Sequence, residues 1–335
     1  MRQIYIDGAL KSRAKNYSNT IFSGRNKKFT LPKARLTVLR DKLTKKKHVA
    51  YKAYVQKIID EYESILAATP QEMQIKIAEF DKIVPNKDVS RKILSNKYAF
   101  YEQVVSAMRY EDLRDVEFLD EVKQLNIKTC IYCNAQLTVV VDIRPKYGKK
   151  SKKFISLGKF DLDHSYAKST YPFLCTSFFN LYPSCPSCNR AKGRNIALFK
   201  LYTEDKSANL DVFNFKIDNQ SIIDYWISRD SQQLKVELRP SLGNLRLYKN
   251  HSELFRIQEI YDTQLDIAEE LVHKAKIYSP AYKKQLTNAF GKHGIFPDIS
   301  MINRLIVGNY DKPEDIHRRP MCLYMQTLAR QLGLL

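Results

Sequence analysis

The sequence predicts an α+β protein that is mainly α-helical, with a short strand-forming region near the middle of the chain. Apolar residues recur at three- and four-residue steps through the first third and again in the C-terminal part, which is typical of amphipathic helices. Between these parts β-branched residues are frequent, and four cysteines occur as two close pairs. These changes predict three regions: a basic arm and helical domain over 1–125, a cysteine-stapled unit over 126–200, and a small hairpin with a helical C-terminal domain over 201–335.

The composition indicates a folded and strongly basic protein. Of its 335 residues, 44% are hydrophobic and 27% are charged, and the formal net charge is +20. Such a charge attracts polyanions, so we expect a nucleic-acid partner, although a Lys-rich surface without that partner has the same composition. No apolar run reaches the ~18–20 residues that cross a bilayer, and the first residues have no apolar stretch of the secretory type. The expected location is therefore cytoplasmic, with no membrane partner.

The N-terminal third predicts an arm followed by helices. Between Lys11 and Lys47 the one acidic residue is Asp41. This segment is therefore either a solvated, partly flexible arm or an arm that binds phosphate. Apolar stripes and the positions of prolines then predict four helices. They cover roughly 44–68, 70–83, 88–109 and 111–124.

Two strand pairs are predicted further along the chain. The runs Gln136–Ile143 and Phe154–Phe160 are strand candidates, and the Lys-rich loop Arg144–Lys153 joins them into a long hairpin. The alternating runs Phe213–Ile217 and Leu234–Leu238 predict a second, smaller hairpin. Helical patterns follow, as one long helix and then a tail. The long helix covers roughly 252–278 and is bounded by Pro280, and the tail, 300–335, is broken at Pro313 and Pro320.

Four of the six cysteines form two Cys-x-x-Cys pairs on either side of the first predicted hairpin. Four thiolates are the ligand set of a closed tetrahedral zinc site, whose role is structural because no coordination position stays open. A redox dithiol is the alternative, but two such pairs around a hairpin favour metal. Cys175 and Cys322 are expected to be buried thiols without chemistry. The predicted zinc ligands are Cys130, Cys133, Cys185 and Cys188.

An acidic stretch that ends in histidine, Phe160-Asp-Leu-Asp-His164, lies between the two cysteine pairs. In a strand, Asp161 and Asp163 would point to one face and His164 to the other. A single histidine is more often a structural hydrogen-bonding group than a catalyst. Here two acids precede it in a strongly basic chain, so we expect Asp163 and His164 to be functional. Asp161 either supports a ligand or caps the strand end.

A second polar stretch begins at Asn180 and runs through the last cysteine pair. Asn189 directly follows Cys188, so a metal on the cysteines would hold this asparagine rigidly. Three cations come next, in what should be the first turns of a helix, where they do not stabilise the helix dipole. We therefore expect these cations to contact phosphate. They are Arg190, Lys192 and Arg194.

The sequence Asp163-His164, then Asn180, then Asn189, set between cysteine pairs, resembles the HNH, or ββα-metal, endonucleases, including the HNH domain of RNA-guided CRISPR nucleases. The resemblance covers the stretch from Cys130 to Asn195. It implies that Asp163 and Asn189 hold a divalent metal ion, that His164 is the general base and that Asn180 pins the intervening loop. The fold that it implies for 126–200 is a zinc-stapled ββα-metal nuclease unit.

One position departs from the usual pattern, because Asn189 stands where most members of that family have histidine. Carboxylate and amide oxygens are hard ligands, so the expected catalytic ion is Mg²⁺ or Mn²⁺, beside a structural Zn²⁺. A neutral imidazole, with an ordinary pKa of about 6.5, can accept a proton from water near pH 7. The implied activity is metal-assisted hydrolysis of nucleic-acid phosphodiesters, with DNA favoured over RNA.

A more diffuse resemblance connects the whole chain with HNH proteins of bacterial anti-phage systems, namely the Septu type and some retron effectors. It rests on the basic start, the central unit and late segments such as Leu305–Tyr310. It implies an antiviral nuclease whose helical ends dock on an ATPase encoded beside it. A restriction-type endonuclease is the nearest alternative. A zinc-stapled nucleic-acid-binding or adaptor protein without cleavage is the alternative from a different class.

Overall fold

The computed structural model describes residues 1–94, 97–144, 155–241, 243–292 and 299–335. Helices make up most of these residues, and the strands form small two-stranded sheets. The predicted α+β class is therefore confirmed. Among the described helices, none has the length and apolar character that a membrane span requires.

Helices also make up the N-terminal part, including the segment predicted as a basic arm. Apolar side chains of its first two helices, among them Leu10, Tyr17 and Leu36, are buried in the core. The interpretation as a solvated, partly flexible arm is therefore wrong, because one apolar face of each helix packs against the core, whereas phosphate binding by this segment stays a prediction. The helices are α1 (Gly8–Thr20), α2 (Pro32–Asp41), α3 (Val49–Asp60), α4 (Tyr62–Ala67), α5 (Pro70–Ile83), α6 (Phe100–Ala107), α7 (Tyr110–Asp112) and α8 (Phe118–Leu125).

Local capping decides where two of these helices begin. Thr69 and Glu72 form a reciprocal capping box at the start of α5, which matches the predicted helix over 70–83. The helix predicted over 88–109 is wrong in its first half. Only a 3-10 turn covers Asn86–Ser90, and α6 starts where the Glu102 carboxylate accepts a hydrogen bond from the Ala99 amide at 2.6 Å.

The central part contains two antiparallel strand pairs followed by a helix. The predicted hairpin is confirmed as β2 (Val139–Ile143) paired with β3 (Ile155–Lys159). Its Lys-rich loop lies outside the described residues apart from Arg144. Next, β4 (Asp161–His164) pairs with β5 (Leu181–Ser184), with Asp163 opposite Tyr182, and α9 (Pro186–Lys192) follows. The order of these three elements is strand, strand, helix.

The C-terminal part differs from its prediction in two respects. The two predicted strands do pair, but α10 lies between them, so they do not form the small hairpin that was predicted. The predicted long helix is instead three helices, because Arg256 adopts a left-handed conformation (φ 51°) and Thr263 ends the second helix. The elements are β6 (Tyr202–Thr203), which pairs in parallel with β1 (Ile4–Tyr5), β7 (Phe213–Ile217), α10 (Asn219–Ser228), β8 (Val236–Pro240), α11 (Leu245–Phe255), α12 (Ile257–Asp262), α13 (Leu265–Ile277), α14 (Pro280–Lys292), α15 (Ile299–Val307) and α16 (Cys322–Gln331).

Both helical parts contact the central unit, 126–200, through buried hydroxyl groups. Tyr110, on α7, donates a hydrogen bond to the Leu162 carbonyl at 2.9 Å, and Tyr17, on α1, donates to the Thr176 carbonyl at 2.8 Å. From the other side, Tyr261 on α12 donates to the Cys133 carbonyl at 2.9 Å. The central unit is therefore packed between the two helical parts.

Candidate functional site

The four predicted zinc ligands come together. Cys130 and Cys133 lie in the turn before β2, Cys185 caps the N-terminus of α9, and Cys188 lies in its first turn. All four side chains are buried, and their sulfur atoms lie within 4.8 Å of one another. Four buried thiols at this spacing could hold a zinc ion, as predicted, since a closed tetrahedral site needs this donor set.

The protonation of these thiols depends on their neighbours. Burial raises the pKa of Cys130, whereas hydrogen bonds from the other three thiols, that of Cys130 first, lower the pKa of Cys185. A divalent cation would favour the thiolate form of all four, because metal binding displaces thiol protons. The two remaining cysteines, Cys175 and Cys322, are buried as predicted.

Residues far along the chain hold the first cysteine turn. Asn134 has a left-handed backbone conformation (φ 54°), and its backbone amide donates a hydrogen bond to the Cys130 carbonyl at 2.8 Å. Its side-chain amide donates to the Ile316 carbonyl at 2.9 Å, and its side-chain oxygen accepts from the Leu323 amide at 3.0 Å. His251 bonds to the Tyr132 carbonyl at 2.8 Å. The C-terminal helices therefore fix the geometry of the cysteine turn.

His164 is the last residue of β4 and is held as a neutral ring. Its Nε2 lies 3.0 Å from the Cys175 carbonyl, and because a carbonyl can only accept, Nε2 carries the proton and Nδ1 keeps its lone pair. The ring packs against Tyr110 with a centroid distance of 4.7 Å. Burial, followed by the nearby charge of Lys168, lowers the pKa of His164 to about 3. At neutral pH this imidazole is therefore uncharged, and it is a weaker base than an imidazole with the ordinary pKa of about 6.5.

Asp163 is buried in an ion pair. One carboxylate oxygen lies 3.0 Å from Nζ of Lys192, and the other accepts a hydrogen bond from the Tyr132 hydroxyl at 2.5 Å. Lys192 also donates to the His164 carbonyl at 2.9 Å, and its side chain is only 3% exposed. Lys192 was predicted to contact phosphate, and in this structure its ammonium instead compensates the Asp163 charge.

Asp161 and Asn189 form a second polar pair at the opening beside Asp163. The Asn189 side-chain amide donates to Asp161 at 2.9 Å, which leaves the Asn189 amide oxygen available as a ligand. Arg190 and Arg194, by contrast, have exposed side chains at the end of α9. Their predicted phosphate contacts are compatible with this exposure, and they stay predictions.

Asn180 fastens the loop that connects β4 with β5. Its side-chain oxygen accepts from the Tyr166 amide at 2.7 Å, and its side-chain nitrogen donates to the carbonyls of Tyr166 at 3.1 Å and Leu174 at 2.9 Å. Asn180 is fully buried. These three bonds hold the segment that carries the Cys175 carbonyl, so Asn180 indirectly positions the hydrogen-bond acceptor of His164.

Most of the predicted polar residues line one cleft, with a volume of about 430 Å³, whereas Asn180 and Arg190 do not line it. Sequence reasoning missed Tyr110 and Lys168, which also line it. Nζ of Lys168 lies 4.2 Å from the centroid of the Tyr110 ring, and burial lowers the pKa of Lys168. Neither residue is one of the positions that carry the family resemblance, and only the folded loop brings Lys168 next to His164. The lining includes Tyr101, Tyr110, Arg114, Asp161, Asp163, His164, Lys168, Asn189, Lys192 and Arg194.

Comparison of the chain with protein-family models, curated proteins and solved structures gave no match. Within the described ranges, the four cysteines are the one group of three or more His, Cys, Asp or Glu side chains at mutual ligand distance. A hard cation in the cleft would therefore need the Asn189 oxygen, or water, to complete its coordination.

Proposed function

We propose that this protein is a metal-dependent endonuclease of the HNH type that hydrolyses phosphodiester bonds of nucleic acid, with DNA favoured. One observation carries the proposal: a neutral His164 with its Nε2 tied to a backbone carbonyl lies in the same cleft as Asp161, Asp163 and Asn189. A general base needs this arrangement, because the carbonyl fixes the tautomer and leaves the opposite nitrogen free to accept a proton.

We propose that the cleft takes a hard divalent cation such as Mg²⁺ or Mn²⁺, which would share the Asp163 carboxylate with Lys192 and Tyr132. Asp161, Asp163 and Asn189 would supply carboxylate and amide oxygens, which are the donors that such ions prefer. When bound, the ion would stabilise negative charge on the phosphate and on the leaving oxygen. The zinc ion that the cysteines could hold would have a separate, structural role.

The proposed chemical step gives each side chain of the cleft one role. Nδ1 of His164 takes a proton from a water molecule, whose oxygen forms a bond to phosphorus. The bond between phosphorus and the leaving oxygen breaks, and that oxygen takes up a proton from solvent. Lys168 and Arg194, which line the cleft, would contact the phosphate oxygens and orient the substrate for this in-line attack.

A second candidate function is nucleic-acid binding without cleavage, by a zinc-stapled binding or adaptor protein. One observation favours it: Lys192 already compensates the charge of Asp163 in a buried pair, so Asp163 needs no metal ion for that purpose. The wider role in anti-phage defence with an ATPase partner is a further proposal. It rests on the resemblance of the basic start, the central unit and the late helical segments.

The experiment that tests the proposal compares the wild-type protein with His164→Ala. Zinc-loaded protein is incubated with Mg²⁺ or Mn²⁺ and a panel of plasmid, linear single-stranded DNA and tRNA. His273→Ala is the matched control, since His273 bonds to Tyr225 and does not line the cleft. We expect ion-dependent cleavage by wild type and control and none by His164→Ala. Binding of the panel without cleavage under any of these conditions would favour the second candidate.

A further inference from the structure

The cleft at His164 continues into a larger groove on the N-terminal helices. A cavity of about 780 Å³ lies between α2 and α6, and Tyr101, Tyr110 and Lys168 line both this cavity and the 430 Å³ cleft. Apart from Lys168, the walls of the groove come from residues outside the HNH resemblance. A chain seated at His164 would therefore run past Lys168 into this groove.

Several cations line the groove, and two of them, Arg35 and Arg109, lie close enough to interact, with Asp112 as a nearby counter-charge. Arg35 donates a hydrogen bond to the Ser106 hydroxyl rather than to a carboxylate, and burial and the neighbouring Arg109 lower its pKa. Lys42, at the end of α2, lines the same wall and is exposed. Like charges held together in a concave surface favour an anionic ligand.

The acidic residues of the groove are largely engaged elsewhere. The Glu102 carboxylate caps α6 through the Ala99 amide, and Asp112 pairs with Arg109 at 3.3 Å. Glu111 is the remaining acid in the lining, and it faces Lys168. The wall formed by Arg35 and Lys42 therefore presents positive charge to the groove.

Two tyrosines line the same groove, and Nζ of Lys97 lies over one face of the Tyr98 ring, 5.1 Å from its centroid. Tyr98 is 48% exposed although it lies in a concave surface, and Tyr101 is half-buried at the junction with the His164 cleft. Nucleic-acid bases stack on such rings, and stacking requires a base whose face is accessible. A duplex hides its base faces, so rings in a groove beside cations fit a single strand better than a duplex.

We propose that this groove, defined by Arg35, Lys42, Tyr98 and Tyr101, binds unpaired nucleotides next to the phosphate that is cleaved. The substrate class is then single-stranded nucleic acid, or a duplex opened at the cleavage site. Phosphates contact Arg35 and Lys42, and bases stack on the tyrosines. This inference rests on the proposed nuclease function, because that function places the cleaved phosphate at His164. Binding of a single strand in the groove does not itself require cleavage.

The test measures binding by fluorescence anisotropy in the His164→Ala background, so that cleavage cannot interfere. The probes are a labelled single-stranded DNA, an RNA of the same sequence, and the corresponding DNA duplex, each over a range of salt concentrations. The groove variants are Arg35→Gln with Lys42→Gln, and Tyr98→Ala.

Each groove variant has a matched control. Arg246→Gln with Lys206→Gln removes one arginine and one lysine from exposed positions outside the groove, so the change in net charge is the same. Tyr282→Ala removes another exposed tyrosine that does not line the groove. A general effect of charge or of aromatic surface would therefore appear equally in variants and controls.

The double charge variant should bind single strands more weakly and with a smaller salt dependence. The slope of log K against log salt is negative, and the loss of two phosphate contacts should reduce its magnitude by about 1.4, which is about 0.7 for each contact on a single strand. Tyr98→Ala should weaken single-strand binding about tenfold, since one stacked base is lost. The controls should bind as the parent does, and comparable thermal unfolding of all variants excludes misfolding.

Several outcomes would overturn the groove assignment. These are a parent protein that binds no single strand, groove variants that bind like their controls, or an equal loss of duplex binding. RNA and DNA strands that bind alike support the assignment, and so does a preference for either of them. If binding depends on the groove residues but the wild-type protein cleaves nothing, the groove assignment holds and only the nuclease proposal is refuted. If the groove variants, with His164 intact, cleave as fast as the wild-type protein, only the groove assignment is refuted.

Discussion

Lys192→Met should destabilise the protein strongly, because it leaves the Asp163 carboxylate buried without its cation. The two side chains are 3% and 7% exposed and their charged atoms are 3.0 Å apart. Removing one partner of such a pair costs about 3–5 kcal/mol, most of which is the penalty of an uncompensated buried charge. Methionine keeps the unbranched shape of the lysine stem, so the loss of packing should be small.

The assay is urea unfolding of wild type, Lys192→Met, Asp163→Asn and the double variant. If the pair interacts as the geometry indicates, the double variant should be less destabilised than the sum of the two single variants. Additive effects, or a loss below about 1 kcal/mol for Lys192→Met, would refute this reasoning.

The same variant also probes the cleft for a divalent ion. If Asp163 can ligate Mg²⁺, the ion should compensate the carboxylate in place of Lys192. Saturating Mg²⁺ should then raise the unfolding temperature of Lys192→Met more than that of the wild-type protein, since binding to the folded state stabilises by mass action. Asp163→Asn, measured in the Lys192→Met background, is the control and should remove that difference.

Three further predictions follow from the contacts around the site. Tyr132→Phe removes the hydrogen bond to Asp163, so it should lower the free energy of unfolding by about 1–3 kcal/mol and reduce cleavage, as urea and nuclease assays would show. Cys185→Ser should abolish zinc binding, measured as zinc per chain, and with it Mg²⁺-dependent cleavage, because Asn189 and Lys192 lie on the helix that this cysteine caps. Burial lowers the pKa of His317 to about 4, whereas in the unfolded chain it is about 6.5. As the pH falls from 6.5 to 4, the His317 ring therefore becomes protonated in the unfolded chain but not in the folded protein. Stability of about 3 kcal/mol should therefore be lost between pH 6.5 and 4, and His317→Gln should make that pH dependence of unfolding shallower.

Features that depend on nearby residues were predictable from the sequence. The helix α5 was predicted because Thr69, Pro70 and Glu72 form a local start signal. The cysteine cluster was predicted because each Cys-x-x-Cys pair is a compact turn that presents two thiols to one ion. The hairpin of β2 and β3 followed from its β-branched composition.

Features that depend on distant partners were not predictable. Lys192 has the sequence context of a surface cation on a helix, and only the fold brings it to Asp163, 29 residues earlier. The break at Arg256 also leaves no signal in the sequence, because an apolar stripe continues through it and only the positive φ interrupts the helix. The sequence did not reveal that the first 48 residues form packed helices. Their many basic residues suggested an arm, and the narrow apolar face that the core buries gave a weaker signal.

The most direct test of the central claim, that His164 is the base of a metal-dependent nuclease, is chemical rescue. Zinc-loaded His164→Ala is assayed with Mg²⁺ on the best substrate of the wild-type protein, with and without added imidazole. Loss of the base should reduce cleavage by about 10²–10⁴-fold, and imidazole should restore part of it through the space that the ring leaves. Cleavage by His164→Ala at the wild-type rate would contradict the account.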